Sequence, residues 1–512
     1  MRHGLHDMTL TLDRRPATDL MRSERIAVID IGSNSIRLVV YDGLHRAPVP
    51  LFNEKIMCGL GRKVERTGRL NPEGVTLALD NIGRFARLID GMDVARVDVL
   101  ATAAVRDASD GADFVREIEA RTGLTVRTIA GEEEARLSAM GVLSGTPGAD
   151  GLMGDLGGGS LELVGLDRGV IGPQVTMPLG PLRLVESCGG KLPAATRVID
   201  QHLKALPWLA QHKGRPFYPV GGSWRALAKL HMERVNHPLH IIHHYTVGGE
   251  ELRAFAGEIS RLGRPAVDKL SGVSRRRSDT LPFAALALER LLATVQPSTV
   301  VFSAHGLREG LLFDMLDASE RQKDPLISAC AGLAKRIGRF DQGEIITNWT
   351  ASLFAGEDEP SARLRRASCL LSDLGWSEHP DYRAEHAYLR ILRMPFAGID
   401  HDERAFLALV AFARYGGRPD DPLTAVARGL VREGVAAKAA ILGLALRLAQ
   451  TLTGGVATLL QRTSLTVDEE TLTLTIPEDA RVLIGDSVQR RLDVVAKGLN
   501  RRGAVAVSNP PR

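Results

Sequence analysis

The stretch Ile26-Ala27-Val28-Ile29-Asp30-Ile31-Gly32-Ser33-Asn34-Ser35-Ile36-Arg37-Leu38-Val39-Val40-Tyr41 decides the fold. Its two outer thirds are short β-rich runs, and Gly32-Ser33-Asn34-Ser35 between them are turn formers, so it reads as a hairpin. The pattern returns further along the chain. Leu152 to Leu156 is a short apolar run, Gly157-Gly158-Gly159-Ser160 a turn, and Leu161 to Leu166 a second strand. At a constant shift of 125 positions, Asp30 falls on Asp155, Gly32 on Gly157, Ser35 on Ser160, Leu38 on Leu163 and Val39 on Val164. This is an internal repeat, of the form Asp–apolar–Gly–x–x–Ser–apolar–x–Leu–Val. One position changes character: Arg37 becomes Glu162.

Outward from the first hairpin, helical pattern runs from about Gly74 to Asp90 and from Asp110 to Thr122. Strands are expected near Val97–Ala101 and Thr125–Ile129. Such alternation means α/β layers. Beyond about Arg321 the glycine-rich strand signals fade and the pattern is mostly helical to Gly454. Leu465–Ile476 then alternates about an acidic turn, as a hairpin does, and a helix follows from Asp486 to Asn500. The expected organisation is a flexible tail over 1–23, α/β domains over 24–148 and 149–320, and a helical domain over 321–512, with Asn509–Arg512 loose.

The chain has 512 residues, 44% apolar and 25% charged. That composition excludes a disordered chain, a collagen-like repeat and a coiled-coil rod. The net charge of +4 gives no argument for a nucleic-acid partner, although it permits a local basic groove. Four scattered cysteines, without a CxxC pair, argue against a disulfide scaffold or a thiolate zinc site. The most apolar stretch, Ala436–Gln450, is interrupted by Lys438 and Arg447 and is shorter than the roughly 20 residues of a membrane span. It is expected to be a buried amphipathic helix. The first 23 residues have no hydrophobic core of a signal peptide, so a cytoplasmic protein is expected.

A glycine-rich turn between two strands lets a phosphate approach backbone N–H groups, because glycine carries no Cβ and permits unusual φ. Asp30 and Asp155, each ending the leading strand, would then face phosphate. That makes sense with Mg²⁺ between the charges. The competing reading of Asp-x-Gly is an ordinary strand-to-turn element; two copies in register favour function. Glu162 shares a strand face with Ser160 and is a further candidate for metal or water. Glu132-Glu133-Glu134 open the helix after Thr125–Ile129, where acids also stabilise a helix N-terminus without any catalytic role.

Asp30–Leu38 resembles the first phosphate motif of the exopolyphosphatase / guanosine pentaphosphate phosphohydrolase (Ppx/GppA) family, and Asp155–Leu163 resembles its second. Gly131–Leu137, Ala101–Arg106, Val220–Ser223 and Ser303–Gly310 match further family patterns in the expected order, so the resemblance spans about residues 25–320. It implies two actin-like (ribonuclease H-like) ATPase-type domains forming a cleft, plus a mostly α-helical HD-like C-terminal domain. It also implies hydrolysis of a terminal phosphoanhydride. Glu134 would orient or deprotonate water, and Arg37 and Arg106 would neutralise the reacting phosphate. Gly32, Ser33, Asn34, Ser35, Gly157, Gly158, Gly159 and Ser160 would hold phosphate. Gly221 and Gly222 would contact nucleotide or line the chain-binding site. Asp30, Asp155 and Glu162 would serve Mg²⁺.

The expected substrate is inorganic polyphosphate, with pppGpp as the alternative. A non-catalytic polyphosphate or alarmone sensor and a sugar or acetate kinase are the readings from other classes. A long polyanion needs a basic track, for which Arg275–Arg277, Arg363–Arg366 and Arg490–Arg491 are candidates, although each run taken singly reads better as a solvated face. In the C-terminal region Ser372-Asp373 stands where an HD-like domain would carry His-Asp, and His401-Asp402 is the one His-Asp pair. A second metal hydrolase centre is therefore not expected there; binding of distal substrate or a homodimer interface is.

Overall fold

The computed structural model describes residues 24–270, 277–339 and 343–508. The tails and Arg275–Arg276 lie outside the described residues. The chain divides into two compact units, Met1–Ala130 and Gly131–Arg512.

In the first unit, β1 (Ile26–Ile31), β2 (Ile36–Tyr41), β3 (Pro50–Ile56), β4 (Arg96–Ala101) and β5 (Val126–Thr128) form one sheet in the order β3-β2-β1-β4-β5. β1 pairs antiparallel with β2 and parallel with β4. Ile26–Ile29 and Ile31 are all buried, as a continuous apolar run must be in a central strand covered on both faces. Helices α1 (Pro72–Gly91) and α2 (Gly111–Thr122) cover the face of Ala27, Ile29 and Ile31 through Ile82, Phe85, Phe114 and Ile118. The strands and helices expected here are all present, within a few residues at their ends.

The second unit repeats this plan. β6 (Gly151–Leu156), β7 (Leu161–Asp167), β8 (Val170–Met177), β9 (Phe217–Val220), β10 (Tyr245–Gly248) and β11 (Thr299–Phe302) lie in the order β10-β11-β9-β6-β7-β8. Read as β8-β7-β6-β9-β11, this is the first sheet again, with β10 added at one edge. The repeat seen in the sequence is thus a repeat of topology, the actin-like arrangement. Helix α3 (Gly131–Gly145) packs on β7 and β8. Helices α4 (Gly222–Arg234) and α5 (Leu281–Val295) meet where Trp224 Nε1 donates to the Ala284 carbonyl at 3.0 Å. Helix α6 (Leu307–Met315) lies against α3 at glycines: a Cβ on Gly141 would sit 2.2 Å from the Gly306 carbonyl oxygen, and one on Gly310 1.7 Å from that of Leu137.

The C-terminal part of this unit is mostly helical, around α7 (His401–Arg414), α8 (Val435–Thr453) and α9 (Asp486–Gly498). The expected hairpin is there as β12 (Ser464–Val467) and β13 (Thr471–Pro477), but it carries an unforeseen third strand, β14 (Arg502–Ser508), parallel to β13. Helix α8 extends beyond the apolar stretch read in the sequence. Its 19 residues make it long and apolar enough to cross a membrane by length and composition. Here Ala439, Leu442, Ala445, Leu446, Leu448 and Ala449 are buried in the helical core. The four cysteines are buried, and none forms a disulfide among the described residues.

Candidate active site

Each unit carries one copy of the loop. In the first, Gly32 N–H donates to the Ser35 carbonyl at 3.0 Å; in the second, Gly157 N–H donates to the Ser160 carbonyl at 3.0 Å. Both turns are braced from outside. Gly61 N–H donates to the Ser33 carbonyl at 2.7 Å and Gly59 N–H to the Asn34 carbonyl at 3.0 Å, while Leu182 N–H donates to the Gly158 carbonyl at 3.0 Å. The expected use of unusual φ is corrected: none of Gly32, Gly157, Gly158 or Gly159 has positive φ. Small size is needed at Gly32, and at Gly180, which packs against the second loop. A Cβ on Gly32 would lie 3.3 Å from the Ser35 carbonyl oxygen, and one on Gly180 2.4 Å from Ser160 N.

The changed position of the repeat sits directly across the ladder from the aspartate. Asp30 pairs in register with Arg37, and Asp155 with Glu162. Directly opposed residues of an antiparallel pair share a face. The first unit therefore sets a carboxylate beside a guanidinium, the second a carboxylate beside a carboxylate. Arg37 Nε also donates to Asn53 Oδ1 at 2.8 Å. Arg106, on the short helix Ala103–Asp107 that follows β4, donates to the Ile129 carbonyl at 3.0 Å and pairs with Asp107 at 3.3 Å.

In the second unit helix α3 brings the acids to the loop. Ser138 Oγ donates to Asp155 Oδ2 at 2.6 Å. Glu134 lies four residues earlier, one turn toward the helix N-terminus and on the same face. Glu132 is exposed, Glu133 and Glu134 half-buried. The next residue pairing, Arg136 with Asp314 of α6 through two bonds of 2.8 Å, fixes the helix rotation. Asp155 also neighbours Val220 in the parallel β6–β9 ladder, so the Gly221–Gly222 turn opens beside it at the C-terminal ends of the strands. Gly221 is a glycine by necessity: its φ is +102°, and a Cβ there would lie 2.4 Å from the Leu156 carbonyl oxygen.

Several polar groups at this spot escaped the sequence reading. Arg225, on the first turn of α4, has a buried Nε without a hydrogen-bond partner among the described residues. Burial, then Arg308, push its guanidinium down, while Glu309 and Asp155 oppose them. A Cβ on Gly306 would lie 3.7 Å from Arg225 Nη2 and 3.9 Å from Asp155 Oδ2. Gly306 N–H donates to Glu309 Oε2 at 2.9 Å. Burial alone would raise the Glu309 carboxyl, but Arg308, His305, that N–H and Arg225 hold it down at about 2. Arg277 Nη1 donates to the Gly222 carbonyl at 2.7 Å. Ser303–Gly310 matches a family pattern in sequence, yet its spacing carries no sign that Arg308 and Glu309 act on Arg225 of another helix.

The Arg363–Arg366 run is not an open basic track. Arg363 is bound to Asp324 at 2.5 Å, Arg365 to Glu357 at 2.6 Å and Arg366 to Glu344 at 2.5 Å. Of the pair His401-Asp402, His401 is buried and Asp402 exposed. His401 Nδ1 instead meets His237 Nε2 at 2.8 Å.

Among the described residues, no three His, Cys, Asp or Glu side chains gather as a metal cage. That donor set still fits Mg²⁺, which is usually held by one or two carboxylates with phosphate oxygens and water completing its shell. Asp155 and Glu162, adjacent like charges with Glu162 only 1% exposed, are such a pair.

A doubled glycine–serine loop, an acid-bearing helix pinned beside one copy and a buried arginine next to it are set on a duplicated actin-like fold, that of a class of phosphohydrolases. The model of the Ppx/GppA phosphatase family matches residues 39–319, and that of the exopolyphosphatase C-terminal region matches 336–505. The chain belongs to the Ppx/GppA phosphatase family, and it is a phosphoanhydride hydrolase. It is similar to exopolyphosphatase 1 of Mycobacterium tuberculosis, 30% identical over 319 residues, which cover 57% of this chain and 89% of that protein. It is also similar to exopolyphosphatase 2 of that organism, 28% identical over 319 residues, 59% of this chain and 96% of the relative. Among solved structures, an exopolyphosphatase from Cytophaga hutchinsonii superimposes with a TM-score of 0.53 at 24% identity, covering 57% of this chain and 97% of that one. An exopolyphosphatase-like protein gives 0.51 at 25% identity, with the same two coverages.

Proposed function

We propose that the protein is a Mg²⁺-dependent exopolyphosphatase that removes terminal phosphate from inorganic polyphosphate. The observation that carries this reading is the doubled loop, with its aspartate and turn bond reproduced in each unit. The names of the relatives support the substrate class.

Phosphoryl transfer asks mainly for positioning and charge neutralisation. The N–H groups of 32–35 and 157–160 hold phosphate oxygens. Arg37, Arg106 and Arg225 balance charge on the reacting group. Glu134 accepts a proton from the attacking water. The water oxygen bonds to the terminal phosphorus, the bond to the bridging oxygen breaks, and that oxygen leaves on a chain one unit shorter, with orthophosphate as the other product. Asp155 and Glu162 would hold Mg²⁺, which when bound offsets charge on the phosphates; Asp30 is the corresponding carboxylate of the repeat in the first unit.

The test is hydrolysis of long-chain polyphosphate and of pppGpp by the purified chain, together with Glu134→Gln. Polyphosphate should have the higher kcat/KM, and the variant should lose turnover by about 10²-fold or more while still binding substrate. A clear preference for pppGpp overturns the choice of substrate. Unchanged phosphate release in the variant removes Glu134 from the reaction.

A further inference from the structure

The C-terminal helical region holds a cavity of about 520 Å³ with an unusual wall. Arg339, Arg383, Arg414, Arg447 and Arg491 line it, together with Trp376, and the lining contains no carboxylate. Behind the wall, Asp373, at the place where the sequence resemblance expects a metal-binding His-Asp pair, is occupied. Arg339 holds it through Nε at 3.0 Å and Nη2 at 2.9 Å. A guanidinium thus stands on that carboxylate. Arg339 also lies over the Trp376 ring, 3.6 Å from its centroid, and Arg383 lies 4.3 Å from it.

The other four arginines have no carboxylate within ion-pair distance among the described residues. Their known bonds are to neutral groups: Arg383 Nε to the Glu378 carbonyl at 2.9 Å, and Arg491 Nε to Thr451 Oγ1 at 2.7 Å. Arg414 is 4% exposed, and its Nε has no hydrogen-bond partner among the described residues. Burial, then Arg491 and Arg414, push the Arg447 guanidinium down, so these charges oppose one another. Holding like charges together in a half-buried wall is costly, and an anion within it removes that cost. Guanidinium forks match phosphate oxygens in pairs. One orthophosphate is too small to meet five of them across 520 Å³. A smaller adjoining cavity of about 280 Å³ shares Arg447 and Arg491 and adds Arg490.

We propose that this pocket is a receptor for a compact condensed phosphate, a small molecule with at least two linked phosphoryl groups. It shares no residue with the loops that act on substrate and does not depend on the assignment of polyphosphate as that substrate.

The test is calorimetric titration of the full chain with imidodiphosphate, whose P–N–P bridge resists hydrolysis. Saturable binding is expected to weaken at least about 30-fold in R447E/R491E and to persist in Ser160→Ala, which alters only the catalytic loop. Should the charge-reversed protein fail to fold, Arg447→Gln replaces it, with a loss of about tenfold expected. A Trp376 emission change on binding, absent in Trp376→Phe, locates the site independently. Imidotriphosphate and its guanosine ester form two further arms: equal affinity assigns recognition to the phosphates, tighter binding of the ester to a nucleotide. Binding that disappears in Ser160→Ala and survives R447E/R491E overturns the proposal, as does binding of long polyphosphate alone.

Discussion

Ser138 Oγ donates to Asp155 Oδ2 at 2.6 Å, and this bond joins the helix that carries Glu134 to the strand end that leads into the second glycine-rich loop. Hydrogen bonds to a charged group are worth roughly 1.5–3 kcal/mol. Ser138→Ala is expected to cost stability of that order, read as a lowered midpoint in denaturant. It should also lower kcat by about tenfold with KM nearly unchanged, because a loosened Asp155 misplaces the reacting phosphate relative to Glu134. A normal kcat in the destabilised variant would confine the bond to holding the helix.

The α3–α6 contact leaves no room for a methyl group. Gly310→Ala would drive its Cβ to 1.7 Å from the Leu137 carbonyl oxygen, so one helix must move. The expected cost is about 1–3 kcal/mol or more. Activity should fall as well as stability, since Gly306, the N-cap of α6, lies beside Asp155 and α3 carries Glu134. Gly332 is the control. It lies inside the helix Pro325–Ile337, and a Cβ there meets nothing within 4 Å. Gly332→Ala should be neutral or stabilise by up to about 1 kcal/mol. Thermal unfolding of both variants beside their turnover checks the pair.

The sequence made the repeat legible because a hairpin is local: Asp30, Gly32 and Ser35, with their counterparts Asp155, Gly157 and Ser160, lie within six residues of one another. The α/β alternation was legible for the same reason, through periodicity. Ser138, Arg225 and Glu309 were not. Ser138 bonds Asp155, and Arg225 interacts with both Asp155 and Glu309, from three different helices; nothing in the spacing of 138, 225 and 309 encodes that. Arg363–Arg366 failed in the opposite way. A run of charge in sequence offered a basic track, whereas the fold sends each guanidinium to its own carboxylate. Strand β14 was missed because the alternation of Arg502–Ser508 is weak and half-buried.

The Asp155–Glu162 pair, set against Asp30–Arg37 in the other copy, gives a prediction about the metal. Two carboxylates directly opposed on one strand face repel, and a divalent cation offsets that repulsion. Glu162→Gln should therefore raise the Mg²⁺ concentration for half-maximal activity by about tenfold or more. Glu162→Arg, which copies the first unit, should abolish the Mg²⁺ response. Titrating activity against Mg²⁺ in the three proteins decides it; identical curves would place the ion elsewhere.

The contact of His401 Nδ1 with His237 Nε2 at 2.8 Å requires that one ring donate and the other accept, which two imidazolium ions cannot do. Burial, then His237 and Arg404, lower the His401 pKa to about 4 from an ordinary 6.5, and burial lowers His237 as well. Because the unfolded chain takes up these protons at a higher pH than the folded one, the neutral pair favours folding above about pH 6.5, and that advantage fades as pH falls toward 4. The melting temperature should therefore drop between pH 7 and pH 5. His401→Gln cannot gain the charge, so its melting curve should depend less on pH across that interval, from a lower starting stability. Calorimetric scans at half-unit steps read both slopes. Parallel slopes would mean that other groups carry the acid sensitivity and that the histidine pair contributes packing alone.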